Sequence, residues 1–226
     1  MNTQITEEEI TIPLYTSKEI DFSKDNVLVT KNMGTFYNPI MKLHRDVSLL
    51  ILKHFFSNFT RPITFCDPMV ASGIREARYL QHFPQIFSKL HLGDISPTAI
   101  NNCKKTFEEN LISQEKIEFH TKKAQELLYM KNYDCIEIDP FGSSAPFLDA
   151  ALSQINHKGL LCVTATDTAA LCGVYPKKAL RRYNLHIHKT LCYDELGLRG
   201  LIAYCQKQAG KFDKSLHVEM SFVYGH

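Results

Sequence analysis

Short apolar runs recur along this chain, and almost every one stops at a polar residue before a turn. Ile63-Thr-Phe-Cys-Asp67, Lys89-Leu-His-Leu-Gly93, Lys116-Ile-Glu-Phe-His120, Tyr133 to Asp139 and Lys158 to Thr164 each have the length and content of a buried strand. Helical spacing lies between them, from Ile40 to Phe56, from Ile74 to Leu80, after Ile95 and from Pro146 to Leu152. Ser96 supplies an N-cap and Pro97 a first-turn proline for the third of these. In the first, Leu43, Val47, Leu50, Ile51 and His54 share a face that should turn inward, with Arg45 off it and open to ligand or solvent. Strands that are continuously apolar and alternate with helices imply a mostly parallel, doubly wound α/β sheet covered on both faces.

The ends of the chain read differently. Ile10 to Tyr15 and Val27 to Val29 suggest a small β-type segment within residues 1–35, ahead of one domain over 36–226. Lys177-Lys-Ala-Leu-Arg181-Arg182-Tyr183 is a basic helical stretch, either a solvated face or a surface for a phosphate backbone. Leu198, Leu201, Ile202 and Cys205 keep helical spacing until Gly210, and Leu216 to Tyr224 alternates like a sixth strand.

Parallel sheets bind ligands at the carboxyl ends of their strands. Asp67, Asp94, Asp139, Thr166 and Asp167 all fall at such ends and should converge on one rim. The turn Pro68 to Gly73 leads into a helix whose first amides lack intrahelical partners, a setting that suits a carboxylate or phosphate, although no full Gly-x-Gly-x-x-Gly is present. Asp94 is placed for ribose hydroxyls, at a separation from Asp67 longer than the ~20 residues of the dinucleotide fingerprint. Asp139-Pro140-Phe141-Gly142 offers acceptors for amine hydrogens and a flat face for a ring. The alternative stays open that Asp139 caps a turn and Phe141 is core.

Composition narrows the classes. With 226 residues and 44% hydrophobic content, the chain suits one sizeable core. Its longest apolar runs fall far short of the ~18 residues of a membrane span, and its acidic start resembles neither a secretory signal nor a mitochondrial presequence. An intracellular protein is expected. The seven cysteines are scattered, mostly in apolar runs, and suggest reduced core thiols. There is no Cys-x-x-Cys or His-x-x-x-His, so no metal is expected. A net charge of +2 neither demands nor excludes nucleic acid.

Several blocks in order resemble the tRNA (guanine-26 N2) dimethyltransferases, which use S-adenosylmethionine. They are Phe36-Tyr-Asn-Pro39 with Arg45-Asp46, Asp67 to Gly73-Ile-Arg75 with Arg78, Gly93-Asp94-Ile-Ser96, Asp139-Pro-Phe-Gly-Ser143 with Ala145-Pro-Phe-Leu-Asp149, and Val163-Thr-Ala-Thr-Asp-Thr168 with Leu171-Cys-Gly173, Pro176 and Arg181-Arg-Tyr183. The last block is the most specific. The resemblance implies a Rossmann-like class I methyltransferase. It implies a cofactor loop over Asp67 and Gly73, a methionine carboxylate held by Arg45 with Arg78 or, as second choice, Arg75, ribose on Asp94, and adenine beside the Ala124 backbone. It assigns the guanine amine to Asp139 and the Pro140 carbonyl, the base face to Phe141, and the tRNA to Thr166, Asp167, Arg181 and Arg182. Lys123 departs from the pattern where the family carries an acid, and Pro68-Met69-Val70 where it carries small residues. The family's sheet closes with a further strand and a C-terminal domain follows; neither is in this sequence, which implies a fragment, a split gene or a degenerate version, with a missing domain or partner chain completing the sheet. A remnant that only binds RNA or a partner, and a methyltransferase for another amine, are the competing readings. Cytoplasm and nucleus both fit.

Overall fold

The structure, a computed structural model, describes residues 2–15 and 36–224. The Val27 to Val29 run lies outside these residues. The chain divides into two units, 1–127 and 128–226.

The first unit opens with an antiparallel hairpin, β1 (Asn2–Glu7) and β2 (Ile10–Tyr15), as the N-terminal pattern suggested. Ile10 and Ile12 are buried, and the Asn110 side chain exchanges two hydrogen bonds with the Thr11 backbone, at 2.8 and 2.7 Å. A 3-10 turn at Pro39–Met41, with Asn38 accepting from the Ile40 amide, feeds α1 (Lys42–Phe56). The inward face of α1 differs from the expected one. Arg45, Leu49, Leu52 and Phe56 are buried, whereas Leu43 and Leu50 are exposed, Leu50 by 67%. A buried arginine breaks the hydrophobic periodicity that the eye follows, because its charge is matched by acids from elsewhere in the chain.

Three parallel strands follow in the order β5-β4-β3, namely β3 (Ile63–Asp67), β4 (Phe87–Asp94) and β5 (Ile117–Thr121). Helices α2 (Ile74–His82) and α3 (Pro97–Glu109) make the crossovers. Ser96 caps α3 through the Ala99 amide, with Pro97 in the first turn, as read from the sequence. Phe65, Tyr79 and Phe87 meet at centroid separations of 5.8, 5.9 and 6.3 Å. Aromatic pairs of this kind add about 0.5–1.5 kcal/mol beyond the area they bury. The short helix α4 (Ala124–Leu128) closes the unit.

The second unit is built on the parallel pair β6 (Tyr133–Ile138) and β7 (Ile155–Val163), joined by α5 (Ala145–Gln154). β7 begins before the expected Lys158, because Lys158 takes a φ of +59° and the register slips between Tyr133 and Cys135. That bulge hides the strand's first residues from a period-2 reading. Three helices follow, α6 (Thr168–Leu171), α7 (Pro176–Tyr183) and α8 (Tyr193–Gly210). Leu148, Leu152, Leu171, Tyr183, Leu201, Cys205 and Ala209 form their shared core.

Residues 214–224 form no strand, contrary to the alternation of Leu216 to Tyr224. A strand is defined by the ladder it joins, and among the described residues none pairs with this segment. Instead Lys214 anchors it, donating to the Leu152 and Ile155 carbonyls at 2.6 and 2.7 Å at the end of α5. The seven cysteines are free thiols, five of them buried. Among the described residues, no helix is long and apolar enough to cross a membrane.

Candidate active site

In the first unit, the turn after β3 is tied down by its own acid and by the next strand's. Asp67 accepts from the Met69 amide at 2.7 Å, and Val70 donates to the Gly93 carbonyl at 2.8 Å. Asp94 accepts from the Ser96 amide at 2.8 Å and from the Ala71 amide at 3.3 Å. Burial raises the Asp94 carboxyl above the ordinary range, against the lowering effect of these amides. Gly73 caps α2 with a φ of +72°, and a Cβ there would lie 2.5 Å from the Cys103 sulfur. Both the backbone sign and the space require glycine. Pro68, Met69 and Val70 are accommodated within this turn. Ala124 is buried at the start of α4, and Lys123 is exposed.

The three candidate arginines are not equivalent. Arg45 donates from Nε to Glu7 Oε1 at 2.8 Å, and one of its terminal nitrogens bonds both Glu7 Oε2 and the Asn38 carbonyl. Arg78 donates to Glu7 at 2.9 Å, to Glu8 at 3.0 Å and to Asp46. Tyr37 adds a hydroxyl donor to Glu7 at 2.8 Å. Arg45 and Arg78 therefore converge on a hairpin carboxylate, and both terminal nitrogens of Arg78 are engaged. Arg45 retains Nη1, for which the described residues show no partner. Arg75, one turn earlier on α2, is buried and donates to Ser48 Oγ at 2.8 Å.

Burial would raise the Glu7 carboxyl, but the hydrogen bonds and charge of Arg45, the Tyr37 hydroxyl and the charge of Arg78 outweigh it and hold the group below its ordinary value. Asp46 is lowered in the same way, burial being outweighed by Arg78 and Lys42. Glu7 was not singled out in the sequence, where it is one of three consecutive glutamates in the acidic start.

In the second unit, β6 is buried along its whole length and delivers Asp139, half-buried, and Pro140, buried, at its carboxyl end. The turn is fixed by a reciprocal pair. Gly142 N–H donates to Thr166 Oγ1 at 2.7 Å, and Thr166 N–H donates to the Gly142 carbonyl at 2.9 Å. Gly142 has a φ of +92°, a region open to glycine. Phe141 is thereby turned outward and is 63% exposed, so the reading of it as core is excluded.

Thr166 and Asp167 act first on the protein itself. Ser143 Oγ donates to Tyr183 Oη at 2.7 Å, and Tyr183 donates to Asp167 at 2.6 Å. Arg182 also donates to Asp167, at 2.7 Å. Burial, with the Asp167 hydrogen bond, raises the Tyr183 phenol well above its ordinary value, so it remains a donor. Arg181 is exposed on the same helix. Phe141, Ser143, Pro146, Arg181, Arg182 and Tyr204 line an open cleft of about 550 Å³. An exposed ring, a carboxylate two residues before it and two guanidiniums are thus combined on one unit. Tyr183 and Ser143 are positioning residues that strand-end reasoning alone missed.

Comparison with known proteins gives the family and the fold. The profile of the family described as N2,N2-dimethylguanosine tRNA methyltransferase matches residues 16–226. A tRNA (guanine(26)-N(2))-dimethyltransferase of Pyrobaculum islandicum is 42% identical over 193 residues, 84% of this chain and 53% of that protein. Its counterpart in Methanosphaera stadtmanae is 34% identical over 232 residues, 100% of this chain and 56% of that protein. The structure of Trm1 from Pyrococcus horikoshii in complex with S-adenosyl-L-methionine superposes with a TM-score of 0.81 at 28% identity, covering 99% of this chain and 58% of that one. The chain spans about half the length of the curated relatives it matches. Its fold is the Rossmann-like, mostly parallel α/β fold of class I methyltransferases. This chain belongs to the N2,N2-dimethylguanosine tRNA methyltransferase family.

Proposed function

We propose that this chain is the methyltransferase domain, over residues 36–226, of an enzyme that methylates the exocyclic N2 of a guanine in tRNA, at a position 26 type site, once and then a second time. The observation that carries the reading is Phe141, held outward beside Asp139 and sharing a cleft with Arg181 and Arg182. The relatives' activity and the cofactor of the Trm1 complex support it. The compartment we propose is the cytoplasm or nucleus.

The first unit's residues fit S-adenosylmethionine by the chemistry of their donors. The first amides of α2 lack intrahelical partners, as a carboxylate site needs, and Asp94 keeps lone pairs for ribose hydroxyls beside its bonds from the Ala71, Ile95 and Ser96 amides. Arg45 through Nη1, together with Arg75, would hold the methionine carboxylate. The engagement of Arg78 with three acids favours Arg75, the second choice from sequence, over Arg78. The Ala124 backbone would border the adenine. Lys123 cannot accept a hydrogen bond from the adenine amine.

When bound, the cofactor would supply a sulfonium methyl, whose bond to sulfur breaks as the bond to nitrogen forms and a neutral thioether leaves. A guanine amine is a weak nucleophile because its lone pair is delocalised into the ring. Asp139 and the Pro140 carbonyl accept its hydrogens, which fixes the lone pair's direction, and Asp139 takes the proton released as the new N–C bond forms. Phe141 offers its face to the extruded base and offsets part of the unstacking cost. Arg181, with Arg182, meets the phosphate backbone. The amine keeps one hydrogen after the first transfer, so the same acceptors serve the second.

The test is nucleoside mass spectrometry of a tRNA transcript incubated with the chain and S-adenosylmethionine, alongside calorimetric cofactor titration. Mono- and then dimethylguanosine are expected, and Asp139→Ala should abolish both while leaving cofactor affinity unchanged. Turnover by Asp139→Ala would remove Asp139 from the chemistry. Cofactor binding with methylation of a peptide or small amine in place of tRNA would overturn the substrate.

A further inference from the structure

Sequence reading leads to no metal because it looks for ligands close together along the chain. The sheet of the first unit assembles them across strands instead. In the β4–β5 register His91 stands opposite Glu118, and His120 lies two residues further along β5, on the same face as Glu118. His91 Nδ1 is 3.3 Å from His120 Nε2 and 3.3 Å from Glu118 Oε2, and the last two atoms are 3.9 Å apart. The imidazole of His91 is buried, that of His120 nearly so, and Glu118 is 40% exposed.

We propose that His91, Glu118 and His120 form a binding site for one divalent transition-metal cation, best suited to zinc. Tetrahedral zinc with bonds of about 2.0–2.2 Å to nitrogen and oxygen holds its ligand atoms roughly 3.3–3.6 Å apart. The observed triangle is already close to that spacing. Nδ1 of His91 lies 3.3 Å from each of the other two atoms, where a single cation can take a lone pair from all three. Two imidazoles and one carboxylate are borderline ligands that favour zinc over calcium or magnesium, and they leave a fourth position for water.

The surroundings fit as well. Lys89 Nζ lies 3.1 Å from Glu118 Oε1, the oxygen that does not face the histidines. It would orient the carboxylate as a one-oxygen ligand, in the manner of an outer-shell partner. The exposed edge of Glu118 gives an ion its way in. The site would fasten β5 to β4 immediately before the pair Asp94 and Thr121. We assign the metal a role in holding this strand pair, with no part in methyl transfer.

The experiment uses the full chain, free of any histidine tag and stripped with a chelator. It is titrated with zinc by calorimetry and with cobalt by visible absorption, and melting temperature is followed with and without zinc. Uptake of about one ion per chain, tetrahedral cobalt bands and a zinc-dependent rise in melting temperature are expected. Glu118→Gln and His120→Ala should each weaken binding by more than the ~10–100-fold typical of losing an outer-shell partner. His157→Ala and His217→Ala, at exposed sites, should change nothing. Circular dichroism establishes that each variant is folded. A folded wild-type chain that takes up neither ion, or binding that survives both ligand variants, overturns the site.

Discussion

Two arginine pairs in this chain are close in composition and opposite in use. Arg45 and Arg78 are buried and share Glu7, with Asp46 and Glu8 completing the charge balance. Arg181 and Arg182 are exposed on α7, whose described acid partner is Asp167 alone, bound by Arg182. Motif reading gives all four to ligands. Desolvation separates them. A guanidinium removed from water must find its counter-charge within the fold, and the hairpin supplies it. One left in water keeps donors for a partner that arrives later.

The largest effect should come from removing the shared acid. Glu7→Ala leaves two guanidiniums buried without their common carboxylate, and urea unfolding should show a loss of about 3–5 kcal/mol. A loss below about 1 kcal/mol would mean that the first pair is as solvated as the second.

Acid should distinguish the pairs next. Glu7 and Asp46 have lowered folded values, so their stabilisation is fully present above the unfolded carboxylate range of about 3.9–4.3 and fades as pH falls through the folded values. Stability of the wild type should drop steeply below about pH 4, and Glu7→Gln should flatten that drop. An unchanged profile would dissociate the pair from acid sensitivity.

A smaller effect is expected at the exposed pair, and in binding instead of folding. Arg181→Ala should reduce the slope of log affinity for tRNA against log salt by roughly 0.7–0.9, the share of one phosphate contact. An identical slope would move the tRNA elsewhere. Smallest of all, Arg199→Ala breaks an exposed Arg199–Glu195 pair, and the melting curve should stay within about 0.5 kcal/mol of wild type.

The same physics explains what could be read in advance. β3, β6, the α3 cap and the strand-end acids follow from local pattern and short-range bonding, and each is found where its residues indicate. The inward face of α1 was misread because Arg45 is buried by a partner thirty-eight positions away, and such pairings leave no periodic trace. Leu216 to Tyr224 alternates as a strand does, but alternation describes one edge of a ladder and cannot provide the other. In the candidate site, Asp139 and Phe141 were legible from a strand ending in Asp-Pro-Phe-Gly. The demands already placed on Thr166 and Asp167 by Gly142, Tyr183 and Arg182 were not, since they depend on which turns meet.

The row from Ser143 through Tyr183 to Asp167 has a direction as well as a geometry. An ionised carboxylate can only accept, so the phenolic hydrogen must point toward Asp167. That leaves the phenolic oxygen to receive from Ser143, whose own oxygen then receives the Ala145 amide at 3.3 Å. Every rotor in the row is thus set from one end. Asp167→Asn, which puts a donor where only an acceptor stood, would free the direction of the whole row, while the turn carrying Phe141 would still be held by the Gly142–Thr166 pair.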